Sequence, residues 1–186
     1  MARTPTTAIP LGFTAPDFQL PATVSGRVMG RAALLAGGPT VVVFICNHCP
    51  FVGHILPEFV TFAAEYGEKG INVVAISSND VVGYPMDAPE HMTTLAAESG
   101  FTFPYRYDES QSVARAYEAA CTPDFSVFDA DKRCVYRGQF DGARPGNDVP
   151  VTGEDLRLVL DTLLSGGSVP EEGQIPSLGC NIKWKP

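Results

Sequence analysis

Positive charge is scarce in this chain: 13 Lys and Arg stand against 21 Asp and Glu, for a net charge of −8. A surface that tracks phosphates needs the opposite balance, so no nucleic-acid partner is expected. No apolar run approaches the ~18 residues of a membrane span, so no membrane partner is expected either. The first ten residues lack the apolar stretch of a secretory signal, which points to the cytosol. Charged residues make up only 18% of the chain, below the usual ~25%, whereas the apolar share of 45% is ordinary. With no internal repeat and no low-complexity block, disorder, collagen and coiled coil are excluded. Tryptophan occurs once, at Trp184, and a second CxxC knuckle of the kind structural zinc favours is missing.

At about 150 residues per domain, 186 residues make one domain with a little left over. We read residues 1–167 as that domain and 168–186 as a tail. Gly (18) and Pro (16) are abundant, so loops should be frequent. The runs at 41–45 (Val-Val-Val-Phe-Ile) and 71–76 (Ile-Asn-Val-Val-Ala-Ile) fit strands covered on both faces. Between them Val52, Ile55, Leu56, Phe59, Val60 and Ala63 form one helical stripe, closed by Gly67 and Gly70. Strand, helix and strand in about 35 residues make a right-handed βαβ unit. Residues 79–90 read as a long loop, and Ser110 is placed to cap a short helix through Val113, Ala116 and Tyr117. Residues 125–128 and 133–137 flank a polar turn as a β-hairpin. A last helix covers 154–164, with Leu156, Val159, Leu160 and Leu163 inward. The expected architecture is an α/β sandwich with a mixed sheet, over which the tail docks with Cys180 and Trp184.

Five cysteines, an odd number, make a disulfide framework improbable. Only Cys46 and Cys49 are close in sequence, as Cys-Asn-His-Cys where the first buried strand gives way to the helix. A CxxC beside a βαβ pattern points to thiol redox chemistry rather than to buried structural thiols. Pro50 suits the first helical position, which makes Cys49 the N-cap. Its sulfur then faces the free amides of Phe51 and Val52 and the positive end of the helix dipole, which favour thiolate over thiol. His48, when protonated, adds to that. Cys49 is therefore assigned as attacking thiolate and Cys46 as resolving thiol, with the reverse order as the alternative.

Together these residues resemble the thioredoxin-fold superfamily, and within it the peroxiredoxin-like AhpC/TSA branch. Residues 15–21 (Ala-Pro-Asp-Phe-Gln-Leu-Pro) are similar to that branch's N-terminal hairpin. Pro57, eight residues after Cys49, matches the proline that kinks the active-site helix. Cys46, Cys49 and Pro50 match the branch's Thr-x-x-Cys-Pro motif, with Cys46 in the threonine position. The resemblance spans residues 12–165. It implies a three-layer sandwich, a central mixed sheet with helices on both faces, preceded by an N-terminal hairpin and followed by an extended tail. It also implies a cis-proline at Pro123, with Thr122, Pro123 and Pro50 as substrate-binding residues. The sequence departs from the pattern in having no Trp before the redox pair. Nor does an Arg stand at the proline position, which leaves Arg106, Arg115 and Arg137 as substitutes.

The expected function is thiol–disulfide exchange through a reversible Cys46–Cys49 disulfide. The partner would be a disulfide-containing protein or a small thiol or oxidant, and a cellular dithiol would reduce the protein again. The alternatives are a thiol peroxidase acting on hydrogen peroxide or alkyl hydroperoxides, and a non-enzymatic binding module. No cofactor and no metal are expected; a zinc site would have to draw on Cys46, Cys49, His54 and either His48 or Cys121. Cys121 and Cys180 are possible additional redox thiols, Cys180 because the resemblance implies that a remote cysteine sometimes resolves. Cys134 reads as core, and the turn-rich loop at 144–148 is a candidate rim of the site.

Overall fold

The computed structural model describes residues 3–23, 26–34 and 36–186. In chain order the strands and helices are β1 (Arg3–Pro5), β2 (Gln19–Pro21), β3 (Val28–Gly30), α1 (Arg31–Leu34), β4 (Thr40–Phe44), α2 (Pro50–Glu68), β5 (Asn72–Ser77), α3 (Pro89–Glu98), β6 (Tyr105–Tyr107), α4 (Ser112–Ala116), β7 (Cys121–Thr122), β8 (Asp124–Phe128), β9 (Cys134–Gly138), α5 (Glu154–Leu164) and β10 (Leu178–Asn181).

β4 is the centre of a five-stranded sheet ordered β6-β5-β4-β8-β9. It pairs in parallel with β5 and antiparallel with β8, so the sheet is mixed, as expected. Alternation along β4 then sorts its side chains into two cores. Val41, Val43 and Ile45 face the stripe of α2 together with Met92 of α3 and Leu156 of α5. Val42 and Phe44 face Val113 and Ala114 of α4, with Tyr117 and Phe18. Because one apolar strand is covered on both sides, the molecule has three layers. Phe59 anchors the first core, its ring 5.4–5.7 Å from those of Phe103, Phe125 and Phe140.

The helix stripe is buried at Val52, Ile55, Leu56, Phe59 and Ala63, as the sequence reading has it, and is wider than that reading. Phe62 and Tyr66 are fully buried, whereas Val60 is only half-buried. The N-cap position of α4 is Gln111, in a left-handed conformation (φ 62°), and Ser110 stands one residue before it: the first helical amide, of Ser112, donates to Ser110 Oγ at 3.3 Å, and the Ala114 amide donates to Asp108 Oδ2 at 2.9 Å. The loop read over 79–90 ends at Ala88, after which α3 begins, a helix that the sequence reading did not include; the loop contains a 3-10 turn (Pro85–Asp87) that delivers Asp87 to the interior. β2 and β3 form the N-terminal hairpin. β10 lies between β1 and β7 in a separate three-stranded antiparallel sheet. Among the described residues, no helix is long and apolar enough to cross a membrane.

Candidate active site

The turn after β4 carries the Cys-Asn-His-Cys segment into α2. Cys49 is the N-cap, extended (φ −76°, ψ 120°), with Pro50 following at the start of the helix. The Thr122–Pro123 bond, between β7 and β8, is cis and stands opposite the two thiols. As a thiol, Cys49 donates to the Thr122 carbonyl at 3.1 Å, and Cys46 Sγ lies 3.5 Å from the Thr122 hydroxyl.

The electrostatics separate the two cysteines. Cys49 is lowered from 9.0 to about 5, chiefly because the Cys46 thiol hydrogen-bonds its sulfur. Burial opposes this, and the Thr122 side chain, the Val52 amide and the Cys180 thiol add to the lowering. The Val52 amide approaches without closing a full capping hydrogen bond, so the neighbouring thiol outweighs the helix end that the sequence suggests. Cys46 is driven the other way, first by its hydrogen bond to Cys49, then by burial and by the charge of Asp87. One proton and one negative charge are thus shared between two sulfurs, with the charge on Cys49 and the proton on Cys46.

His48 faces Asp87 and Cys46. Its Nδ1 is 2.6 Å from Asp87 Oδ2 and 3.9 Å from Cys46 Sγ, and its ring stacks on Tyr84 with centroids 5.1 Å apart. Asp87, fully buried, also accepts from the Asn47 amide (2.8 Å), the His48 amide (3.2 Å) and the Asn79 side chain (2.8 Å). Asn47 in turn donates to the Met86 carbonyl and accepts from the Tyr105 hydroxyl. Neither Asp87 nor Asn79 stands out in the sequence. A carboxylate in a Gly- and Pro-rich loop is ordinarily solvated, and only the 3-10 turn carries this one inward.

The remaining cysteines divide by position. Cys180 hydrogen-bonds the Cys49 sulfur; burial, that bond and the charge on Cys49 push it up to about 12. Cys121 turns to the Pro123 carbonyl (3.5 Å), and burial raises it further. Cys134 packs in the second core. Arg144 lines a pocket with Phe51, Pro123 and Leu178, donating to Gln139 and the Asp141 carbonyl. The three candidate arginines are engaged elsewhere. Arg106 donates to the Arg27 carbonyl, Arg137 donates to the carbonyls of Tyr117 and Glu118, and Arg115 lies over Trp184. Among the described residues, the group of potential metal-binding atoms at the site is Cys46, His48 and Asp87, within 4.8 Å of one another. That group differs from the cysteine–histidine set drawn from the sequence, since it excludes Cys49 and His54, and its carboxylate is already taken up by hydrogen bonds.

A mixed sheet between helical layers, with a CxxC at a helix start opposite a cis-proline, defines a thioredoxin-fold protein. The family model of the AhpC/TSA family matches residues 11–137, more than half of the chain, and the protein belongs to that family. Among solved structures it is similar to an uncharacterized conserved protein from Geobacillus kaustophilus (53% identity, TM-score 0.97, 100% of this chain and 98% of that one). It is also similar to a hypothetical protein from Sinorhizobium meliloti 1021 (46% identity, TM-score 0.95, 98% of each chain). Peroxidoxin BcpB from Mycobacterium tuberculosis shares the fold at 21% identity (TM-score 0.62, 83% of this chain and 96% of that one). Comparison with curated proteins finds no match.

Proposed function

We propose that the protein is a thiol–disulfide oxidoreductase in which Cys49 attacks and Cys46 resolves. The observation that carries this is the split between the two thiols: Cys49 is drawn down to about 5 while its neighbour is held protonated and hydrogen-bonded to it. A thiolate is the nucleophile in exchange, and a protonated thiol beside it supplies the second sulfur and the proton for the leaving group. The Cys49 thiolate displaces one sulfur of a partner disulfide as a thiolate and forms a mixed disulfide. Cys46 attacks the Cys49 sulfur, its proton passes to the departing thiol, and a Cys46–Cys49 bond remains. A cytosolic dithiol returns both cysteines to thiols. Thr122 holds both sulfurs in register across the cis-proline, and His48 is a positioning residue, fixed by Asp87 on the Cys46 side.

The test uses the reduced protein with oxidised glutathione. Wild type is expected to release glutathione and to carry a Cys46–Cys49 bond on peptide mapping. Cys49→Ser should release none, whereas Cys46→Ser should still lose its Cys49 thiol in the first step. Glutathione release by Cys49→Ser, with none by Cys46→Ser, would reverse the assignment.

Family membership favours a second reading, a thiol peroxidase. There Cys49 takes an oxygen from peroxide as sulfenic acid, and Cys46 condenses with it to release water. Stopped-flow mixing with one equivalent of hydrogen peroxide separates the two. Loss of the Cys49 thiol far faster than that of a free cysteine selects the peroxidase. A slow reaction, beside rapid reaction with oxidised glutathione, selects exchange.

A further inference from the structure

β5 is longer than the strand at its edge. β6 pairs with it only from Ala75 onward, so Asn72, Val73 and Val74 have no strand beside them on that side. The last turns of α2 border this gap with small residues, Ala63, Ala64 and Gly67, which do not fill it. What remains is a cavity of about 690 Å³ with chiefly apolar walls, among them Met29, Val73 and Phe103. That volume lies in the usual range of a small-molecule site. Asn72 and Val73 open β5, whereas Cys46 follows the far end of the parallel β4, so the cavity lies toward the end of the sheet opposite the thiols. One wall carries a charge. Arg106 of β6 is only 4% exposed and lines the cavity. Its Nη1 donates to the Arg27 carbonyl (3.0 Å) and its Nη2 to the Met29 sulfur (3.2 Å), a weak acceptor, while Nε is buried without any acceptor. Of the five N–H groups of a guanidinium, two are thus used and three are left over. Among the described residues no carboxylate pairs with Arg106, and the charge that acts on it is that of Arg27, of the same sign. Glu68, also on the cavity wall, is exposed at the end of α2. Buried cations are ordinarily paired, which makes Arg106 an exception.

We propose that this cavity is a binding site for an amphiphilic carboxylate, a charged head on an apolar chain. Arg106 takes the head, and the space between α2 and the edge of β5 takes the chain. A planar guanidinium matches a carboxylate fork to fork, and a charge-assisted hydrogen bond is about twice as strong as a neutral one. A carboxylate seated there gives acceptors to the N–H groups that the fold leaves over and offsets the repulsion from Arg27. An inorganic anion would satisfy the head alone and leave Met29, Val73 and Phe103 facing water. A neutral apolar molecule would bury the chain and leave Arg106 uncompensated. Both features share one cavity, so the ligand that fits carries both. The net charge of −8 does not forbid an anion here, because exposed charges such as Glu68 are screened beyond about 8–10 Å and the buried guanidinium is not. Binding at this end of the sheet involves no thiol and is independent of which cysteine attacks.

The experiment titrates reduced full-length protein with octanoate in a calorimeter, beside octanol as the chain alone and acetate as the head alone. Octanoate is expected to bind one to one. Octanol and acetate should each bind about tenfold more weakly or worse, the loss that follows from removing one charge-assisted hydrogen bond or the burial of the chain. Arg106→Gln keeps a hydrogen-bond donor without the charge and should bind octanoate no better than octanol. Ala64→Leu fills the cavity from α2, leaves Arg106 in place and should abolish binding. Circular dichroism checks the fold of each variant, and Ala64→Leu decides alone if Arg106→Gln does not fold. Equal affinity of wild type for octanoate and octanol, or undiminished binding of octanoate by folded Arg106→Gln, overturns the role of Arg106. Acetate binding as tightly as octanoate overturns the role of the apolar walls. Undiminished binding by Ala64→Leu puts octanoate elsewhere on the molecule, and no binding at millimolar octanoate removes the site altogether; either result sinks the proposal.

Discussion

At the scale of single residues, the site is a problem of where one proton sits. Alkylation of Cys49 should follow an inflection near pH 5 rather than the ~8.5 of a free cysteine. The largest cause is the Cys46 thiol, and a hydrogen bond to a charged group is worth about 1.5–3 kcal/mol. Cys46→Ala should therefore raise the inflection by roughly 1–2 pH units at 1.36 kcal/mol each. The same shift enters stability. Between about pH 5 and 9 the folded, reduced protein has released a Cys49 proton that the unfolded chain keeps. Its stability should rise with pH across that window, and the gain is lost as pH falls through 5. Cys46, shifted upward, adds no slope there, so urea midpoints of Cys49→Ser should show a flatter pH dependence than wild type. Asp87 carries a different load. Asp87→Ala leaves the amides of Asn47 and His48 and the Asn79 side chain without their acceptor, at ~1–3 kcal/mol for each group that water cannot reach. A loss of about 3 kcal/mol in urea unfolding is expected, together with a changed pH profile for glutathione release; an unchanged profile would reduce Asp87 to a structural brace.

At the scale of elements, β10 is both a strand and the cover of Cys49. Gly179 admits no side chain because its backbone passes directly over the Thr122 carbonyl. Gly179→Ala should lift β10 from β7, so that amides at 178–182 exchange faster and Cys49 alkylation accelerates severalfold at fixed pH. Faster exchange without faster alkylation would show that β10 is not what shields the sulfur. α2 is the other element that matters, since it begins at the nucleophile and its buried face is the spine of the first core. Burial of that stripe holds the helix start, and hence the Cys49 sulfur, against the cis-proline.

At the scale of the whole molecule, two cores on either side of β4 make the sheet the shared wall of the structure. Phe59 touches rings contributed by β8, by the segment before β6 and by the segment after β9. Phe59→Ala should cost about 3–5 kcal/mol in denaturant unfolding. The m-value should stay unchanged if unfolding remains a single transition.

What the amino-acid order determined by itself is whatever depends on neighbours in the chain. The apolar run around Val41–Val43, the stripe through Ile55 and Phe59, and the last helix from Glu154 are local patterns with one stable outcome. Cys49 at the N-cap follows from Pro50 beside it. What only tertiary structure decided is whatever depends on distant partners. The stripe could not show that Phe62 meets Phe140 and Tyr66 meets Asp161 of α5, nor Ser110 that Asp108 would serve a second helix amide beside it. His48 finds Asp87 across 39 residues, and Cys180 finds Thr122 across 58 by a strand register to which the Gly- and Pro-rich tail gives no periodic clue. The thiolate is set by both kinds of neighbour: its largest stabiliser is the Cys46 thiol three residues away in the chain, while Thr122 and Cys180, supplied by β7 and β10, add the share that only the tertiary structure brings.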